Sequence, residues 1–189
     1  MRQLKNNKGM TMIEVVVVMA LIAIVTSGTV LSVSSLRRAR VKKQFDVLQS
    51  QTINLREKTL TSSDLTAGAV YYDSAEGEYY FAVFEMERSK LASYATITNT
   101  EITASIKEKI KLDSSMEYYY SFDTETSTGT KVKITESSPL IIHYNRSNGK
   151  LVNNKDYSEN GKLNVYVKNS SLEKTFAISC STGRIVDYN

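Results

Sequence analysis

The 189-residue sequence has one cysteine (Cys180), one histidine (His143), one proline (Pro139) and no tryptophan. A lone cysteine allows no internal disulfide. One Cys and one His cannot build a zinc site, which needs three or four such ligands. A nucleophile–histidine–acid enzyme would have only His143 for its base. A single proline, with only 8 glycines, excludes collagen-like and proline-rich disordered chains. The composition leans away from catalysis, and the chain reads as a non-enzyme without a cofactor.

What is present is unevenly placed. The net charge of +4 comes from the N-terminal third. Residues 1–9 carry Arg2, Lys5 and Lys8 and no acid, and residues 37–60 are also strongly basic. Residues 61–189 are mildly acidic, which argues against binding of nucleic acid by a basic globular part. Residues 10–36 hold a single charge, Glu14, and residues 15–25 (VVVVMALIAIV) contain no polar group. About 20 apolar residues cross a bilayer, so the sequence predicts a transmembrane helix over 10–36. The run exceeds an ordinary secretory signal core, and no A-x-A-like cleavage site follows it.

Two features depart from a plain anchor. A charge at the centre of a membrane helix costs roughly 2.5–3.5 kcal/mol and less near an end, so Glu14 has no place in a simple span. A short basic leader also ends in Lys8-Gly9 directly before the apolar run. A cut after Gly9 would create a new α-amine on Met10, one helical turn from Glu14.

The segment Lys8-Gly9-Met10-Thr11-Met12-Ile13-Glu14 resembles the prepilin signature of type IV pilins and type II secretion pseudopilins: basic leader, Gly, apolar residue, Ser/Thr, Leu, Ile/Val, Glu, then an apolar helix. Met10 stands where Phe is usual and Met12 where Leu is usual. Leu31 lies near the position where many members have Pro, and Gly28 could loosen the helix there at about 1 kcal/mol relative to Ala. The resemblance implies cleavage between Gly9 and Met10 by a prepilin peptidase, N-methylation of Met10, and a role for Glu14 in assembly. It also implies insertion with the leader in the cytoplasm. By charge alone, five basic residues after the run (Arg37, Arg38, Arg40, Lys42, Lys43) against three before it favour the opposite orientation.

Val41, Phe45, Leu48, Thr52 and Leu55 recur at spacings 4, 3, 4, 3, which predicts an amphipathic continuation of the helix over 37–62. A helix over 10–60 would be roughly 75 Å long at about 1.5 Å per residue, more than one small domain can cover. Residues 61–66 (TSSDLT) read as a boundary. Beyond it, strands are predicted near 69–72, 79–87, 117–122, 131–135, 140–144, 163–168, 176–180 and 184–188. A short helix is predicted over 100–112, from Ile102, Ile106 and Ile110. Asn148-Gly149, Asn160-Gly161 and Thr182-Gly183 read as hairpin tips.

Other candidates read mostly as structure. Asp156, Ser158 and Asn160 match the first half of a calcium loop, but position 12 is Val167 rather than the bidentate Glu; a plain turn fits better. The twelve tyrosines all follow residue 70; they could stack ligands or bases, and fit better as strand residues with one face in the core. The basic run 37–43 could meet DNA or acidic lipid, and reads more simply as a solvated helix face. His143 and Cys180 read as buried structural residues.

The expected fold is α+β: leader 1–9, transmembrane and assembly half of a long helix 10–36, its amphipathic half 37–62, and an antiparallel β-sheet head 63–189 that the stripe covers. The expected function is that of a structural subunit of a type IV pilus or pseudopilus, held in the cell membrane as a single-pass precursor and then part of a surface filament. Its implied partners are other pilin subunits, the peptidase and methylase, a membrane assembly platform and the bilayer. Nothing supports a nucleic-acid partner. The missing cysteine pair departs from the C-terminal disulfide of many Gram-negative pilins and points toward a Gram-positive source. The other reading is a single-pass anchored binding module that does not polymerise.

Overall fold

The computed structural model describes residues 11–62, 65–86, 97–124, 126–152 and 160–187, with the side chains of 27–32 and 187 outside the description. In chain order the elements are α1 (Met12–Thr61), β1 (Thr66–Asp73), β2 (Glu78–Glu85), α2 (Asn99–Ala104), β3 (Ile106–Lys111), β4 (Glu117–Asp123), β5 (Val132–Lys133), β6 (Leu140–His143), β7 (Lys162–Asn169), β8 (Leu172–Ser179) and β9 (Ile185–Asp187). The chain divides into two compact units, Met1–Ala39 and Arg40–Asn189, and α1 contributes to both.

The first unit is the N-terminal part of α1. Every described side chain of residues 11–26 and 33–39 is exposed. The apolar residues among them are strong helix formers or β-branched residues that a buried or lipid-facing helix accepts.

The second unit is built on antiparallel pairing. Its strands form two sheets rather than the single sheet expected: a four-stranded one in the order β3-β2-β1-β6, and a five-stranded one in the order β5-β4-β7-β8-β9. The stripe on α1 lies between them in one core. Val41, Phe45, Leu48, Thr52 and Leu55 are all buried, and Thr59 continues the series. Its apolar members pack with Val70, Phe81 and Ile142 of the first sheet and with Tyr118, Val165, Phe176 and Ile178 of the second. Phe45 meets Phe176 edge to face at 5.6 Å. Burying each such side chain contributes roughly 1.5–3 kcal/mol. Thr52 and Thr59 enter this core without an unmet donor, because each hydroxyl donates to the carbonyl four residues back, Leu48 O at 2.8 Å and Leu55 O at 2.9 Å.

Gly68 sets how closely α1 approaches β1. A Cβ there would lie 2.5 Å from Leu55 Cδ2 and 3.2 Å from Phe81 Cζ. The absent side chain is the space that Leu55 fills.

Each of the eight expected strands has a counterpart. The helix expected over 100–112 is only half right: α2 ends at Ala104, and 106–111 is the edge strand β3. Spacing i, i+4 puts residues on one face in a helix and also in a strand. Ile102 is buried in α2, while Ile106 and Ile110 are half-buried in β3. The alternation of charges in IKEKIK was the better signal.

Two of the three expected hairpin tips form. Gly149 and Gly183 take φ of 67° and 63°, the conformation glycine accepts without strain. The segment before the third, Asn160-Gly161, lies outside the described residues; Gly161 is buried beside the start of β7, and its carbonyl accepts the Cys180 N–H at 3.0 Å. Two turns carried no recognised signal. Gly77 (φ 70°) closes β1–β2, where Asp73 Oδ1 accepts the N–H groups of Ala75 and Glu76. Ser170, with φ 54°, closes the two-residue turn between β7 and β8.

Candidate processing and assembly segment

The first turn of α1 is organised by two residues. Thr11 N–H donates to Glu14 Oε2 at 2.8 Å, and the Thr11 hydroxyl donates to the same oxygen at 2.9 Å. The Thr11 Oγ1 also lies 3.4 Å from the Glu14 N–H, and the Val15 N–H donates to Thr11 O at 3.2 Å. This is a capping box: a Thr and a Glu three residues apart each serve a backbone N–H that the helix itself leaves without an acceptor. Thr11 was not singled out from the sequence, although the T-x-x-E spacing before an apolar run is the signature that would have found it.

Glu14 therefore lies in the first turn, exposed, with its carboxylate directed toward the N-terminal end of the helix. That end is where the macrodipole favours a negative group. Around it the surface is apolar: Met12 is 87% exposed, Ile13 72%, Met19 68% and Ile24 67%. A helix that is apolar on all sides needs surroundings that this unit does not supply.

Gly9 and Met10, the expected cleavage pair, lie outside the described residues. Among the described residues no helix is long and apolar enough to cross a membrane.

The remaining candidates are placed as follows. Asp156 and Ser158 are outside the described residues, and Asn160 is exposed ahead of β7. Among the described residues no group of three or more His, Cys, Asp or Glu could hold a metal ion. Tyr71, Tyr79, Tyr80, Tyr118, Tyr144 and Tyr166 are buried, and Tyr72, Tyr119 and Tyr120 half-buried; Tyr94, Tyr157 and Tyr188 are outside the described residues. His143 is buried, and burial lowers its pKa to about 4. Burial pushes the Cys180 thiol up to about 11, so it is an inert thiol rather than a thiolate. Arg37, Arg38, Arg40, Lys42 and Lys43 are exposed. The charges of Arg40 and Lys43 help the Ser115 hydroxyl and N–H hold the Asp113 carboxyl below its usual range.

No curated protein and no solved structure matches the chain. One family does, over the segment just described and not over the sheets. Residues 4–30, which contain the basic Lys5 and Lys8, Gly9, Met10, the Thr11–Glu14 cap and the apolar run, match the prokaryotic N-terminal methylation motif, a structural motif typical of type IV pilins and pseudopilins rather than an enzyme signature.

Proposed function

We propose that this protein is a structural subunit of a type IV pilus or pseudopilus. It is made as a membrane-held precursor with its leader in the cytoplasm, cut between Gly9 and Met10, N-methylated at Met10, and packed through its N-terminal helix into a filament. The observation that carries this reading is the coincidence of the methylation motif over 4–30 with the N-terminal part of α1, whose described apolar side chains are all exposed.

The chemistry follows from the residues. Continued by the weakly polar residues to Leu36, the apolar run reaches about 20 residues and more, enough to span the bilayer before assembly. Afterwards, neighbouring helices replace lipid. Glu14 then neutralises the Met10 amine of an adjacent subunit. That amine has a reference pKa of roughly 7.7–8.0, so both groups are charged near neutral pH. In an apolar surround the pair offsets much of the cost each charge would bear alone. The head, residues 40–189, supplies the filament surface.

Gly9→Val tests the processing step. The larger side chain next to the scissile bond should leave the precursor uncut, seen as retained leader mass on a gel beside the wild type. Normal maturation of Gly9→Val would remove the main support for this reading.

A further inference from the structure

The cleft of about 570 Å³ near the β1–β2 turn lies within the second unit and belongs to none of the processing or assembly chemistry. Its wall is aromatic: Tyr72 and Tyr79 stand with ring centroids 4.9 Å apart, and Tyr79 leans in turn on Tyr118 at 4.9 Å. Its floor is apolar, from Met116 and Ile134, both buried. Its rim is polar, with Glu117, Lys133 and Glu136. The volume is that of a ligand site, and an apolar wall with a few convergent polar groups is the usual composition of one.

The wall and rim are held in place. The Tyr79 hydroxyl donates to Ile134 O at 3.2 Å, tying β2 to the segment after β5. Lys133 Nζ donates to Glu117 Oε1 at 2.6 Å, and the Tyr119 hydroxyl donates to Glu117 Oε2 at 3.0 Å. Tyr72 is half-buried, so part of its ring faces the open cleft beside the small Gly77.

The ligand class follows from what the rim offers. One lysine stands against two glutamates, and the lysine is already paired, so phosphates and other anions are disfavoured. The Glu117 carboxylate is taken by Lys133 and Tyr119, which leaves a poor ligand set for a metal. β5 is two residues long, too short to template an added peptide strand. A neutral polyol has the matching groups: hydroxyls that donate to carboxylates and accept from an ammonium, and a C–H face that lies on a tyrosine ring. We propose that this cleft binds a neutral saccharide, with Tyr72 as the stacking residue and Glu136 and Lys133 as hydroxyl partners. The site stands independently of the filament reading.

The test uses the full chain in a detergent without a sugar headgroup, titrated with lactose and with triacetylchitotriose, and followed by saturation-transfer NMR and calorimetry. Saturable binding of at least one sugar is expected. Tyr72→Ala should weaken it about tenfold, the scale of one lost aromatic contact, while Tyr72→Phe stays within about twofold because the ring carries the contact. Glu136→Gln, at an exposed position that leaves the fold untouched, should weaken binding several-fold and keeps the test informative if Tyr72→Ala fails to fold. Absence of saturable binding by both sugars overturns the proposal, and so does binding that survives both Tyr72→Ala and Glu136→Gln.

Discussion

A carboxylate in an apolar helix needs a partner, and Glu14 accepts hydrogen bonds from the N–H and hydroxyl of Thr11. Thr11 supplies neutral donors, and in the proposed filament the charge is neutralised by the amine of a neighbouring subunit. Glu14→Ala keeps the segment apolar and should still be inserted and cut after Gly9, yet yield few or no filaments. Glu14→Gln keeps the shape without the charge and should also be defective. Filament yield in sheared fractions, set against total cleaved protein in cells lacking the wild type, measures this. Normal yield from Glu14→Ala would show that the acid does not recruit subunits. His143 gives a residue-scale prediction in the head. Its native pKa is depressed to about 4, so between its unfolded value of about 6.5 and pH 4 the unfolded chain binds the extra proton, and stability falls as the pH falls. The loss should reach about 3 kcal/mol by pH 4, and His143→Gln should flatten that part of the curve. Chemical denaturation of both proteins across this range measures the difference and subtracts the carboxylates they share.

At the scale of elements, α1 is the part of the core that the sequence displayed best. The 4, 3, 4, 3 spacing of Val41, Phe45, Leu48, Thr52 and Leu55 is a helical period, and each of the five is buried. Strands rich in Tyr, Val and Ile were equally legible. Gly68 was not, because nothing local distinguishes a glycine that makes room for a side chain 13 positions earlier. Gly68→Ala should cost about 1–3 kcal/mol through overpacking, and Leu55→Ala about 2–5 kcal/mol through a cavity. Because the new methyl fills part of that cavity, the double variant should be less destabilised than the sum of the two. Additive losses in denaturant midpoints would show that the Leu55–Gly68 contact does not set the helix–sheet distance. The misread of 106–111 arose because Ile106 and Ile110 share a face under either period. The split into two sheets was hidden because strand order depends on long-range pairing, such as β1 with β6. At the N-terminus, residue identities announced the processing signature, and the Thr11 cap was legible in T-x-x-E but passed over.

At the scale of the whole molecule, the sequence serves two environments. Residues 10–36 are largely apolar and carry one acid, whereas Arg40–Asn189 has a buried core and a charged surface whose ion pairs, such as Lys133–Glu117 and Lys131–Glu173 at 2.6 Å each, lie in solvent and contribute about 0–1 kcal/mol apiece. A protein beginning at residue 36 should therefore be soluble and folded, because the stripe remains over both sheets. One beginning at residue 61 exposes the core face that Phe45, Leu48 and Leu55 cover and should aggregate. Gel filtration distinguishes them, and a well-behaved monomer from 61–189 would show that α1 is dispensable to the head. The central claim is that the chain is a processed prepilin, and intact-mass and fragment spectrometry of the mature protein from its native host tests it most directly. The account predicts a chain that starts at Met10 and carries a methyl group on its α-amine. An intact Met1, or a start well beyond residue 30, would contradict it.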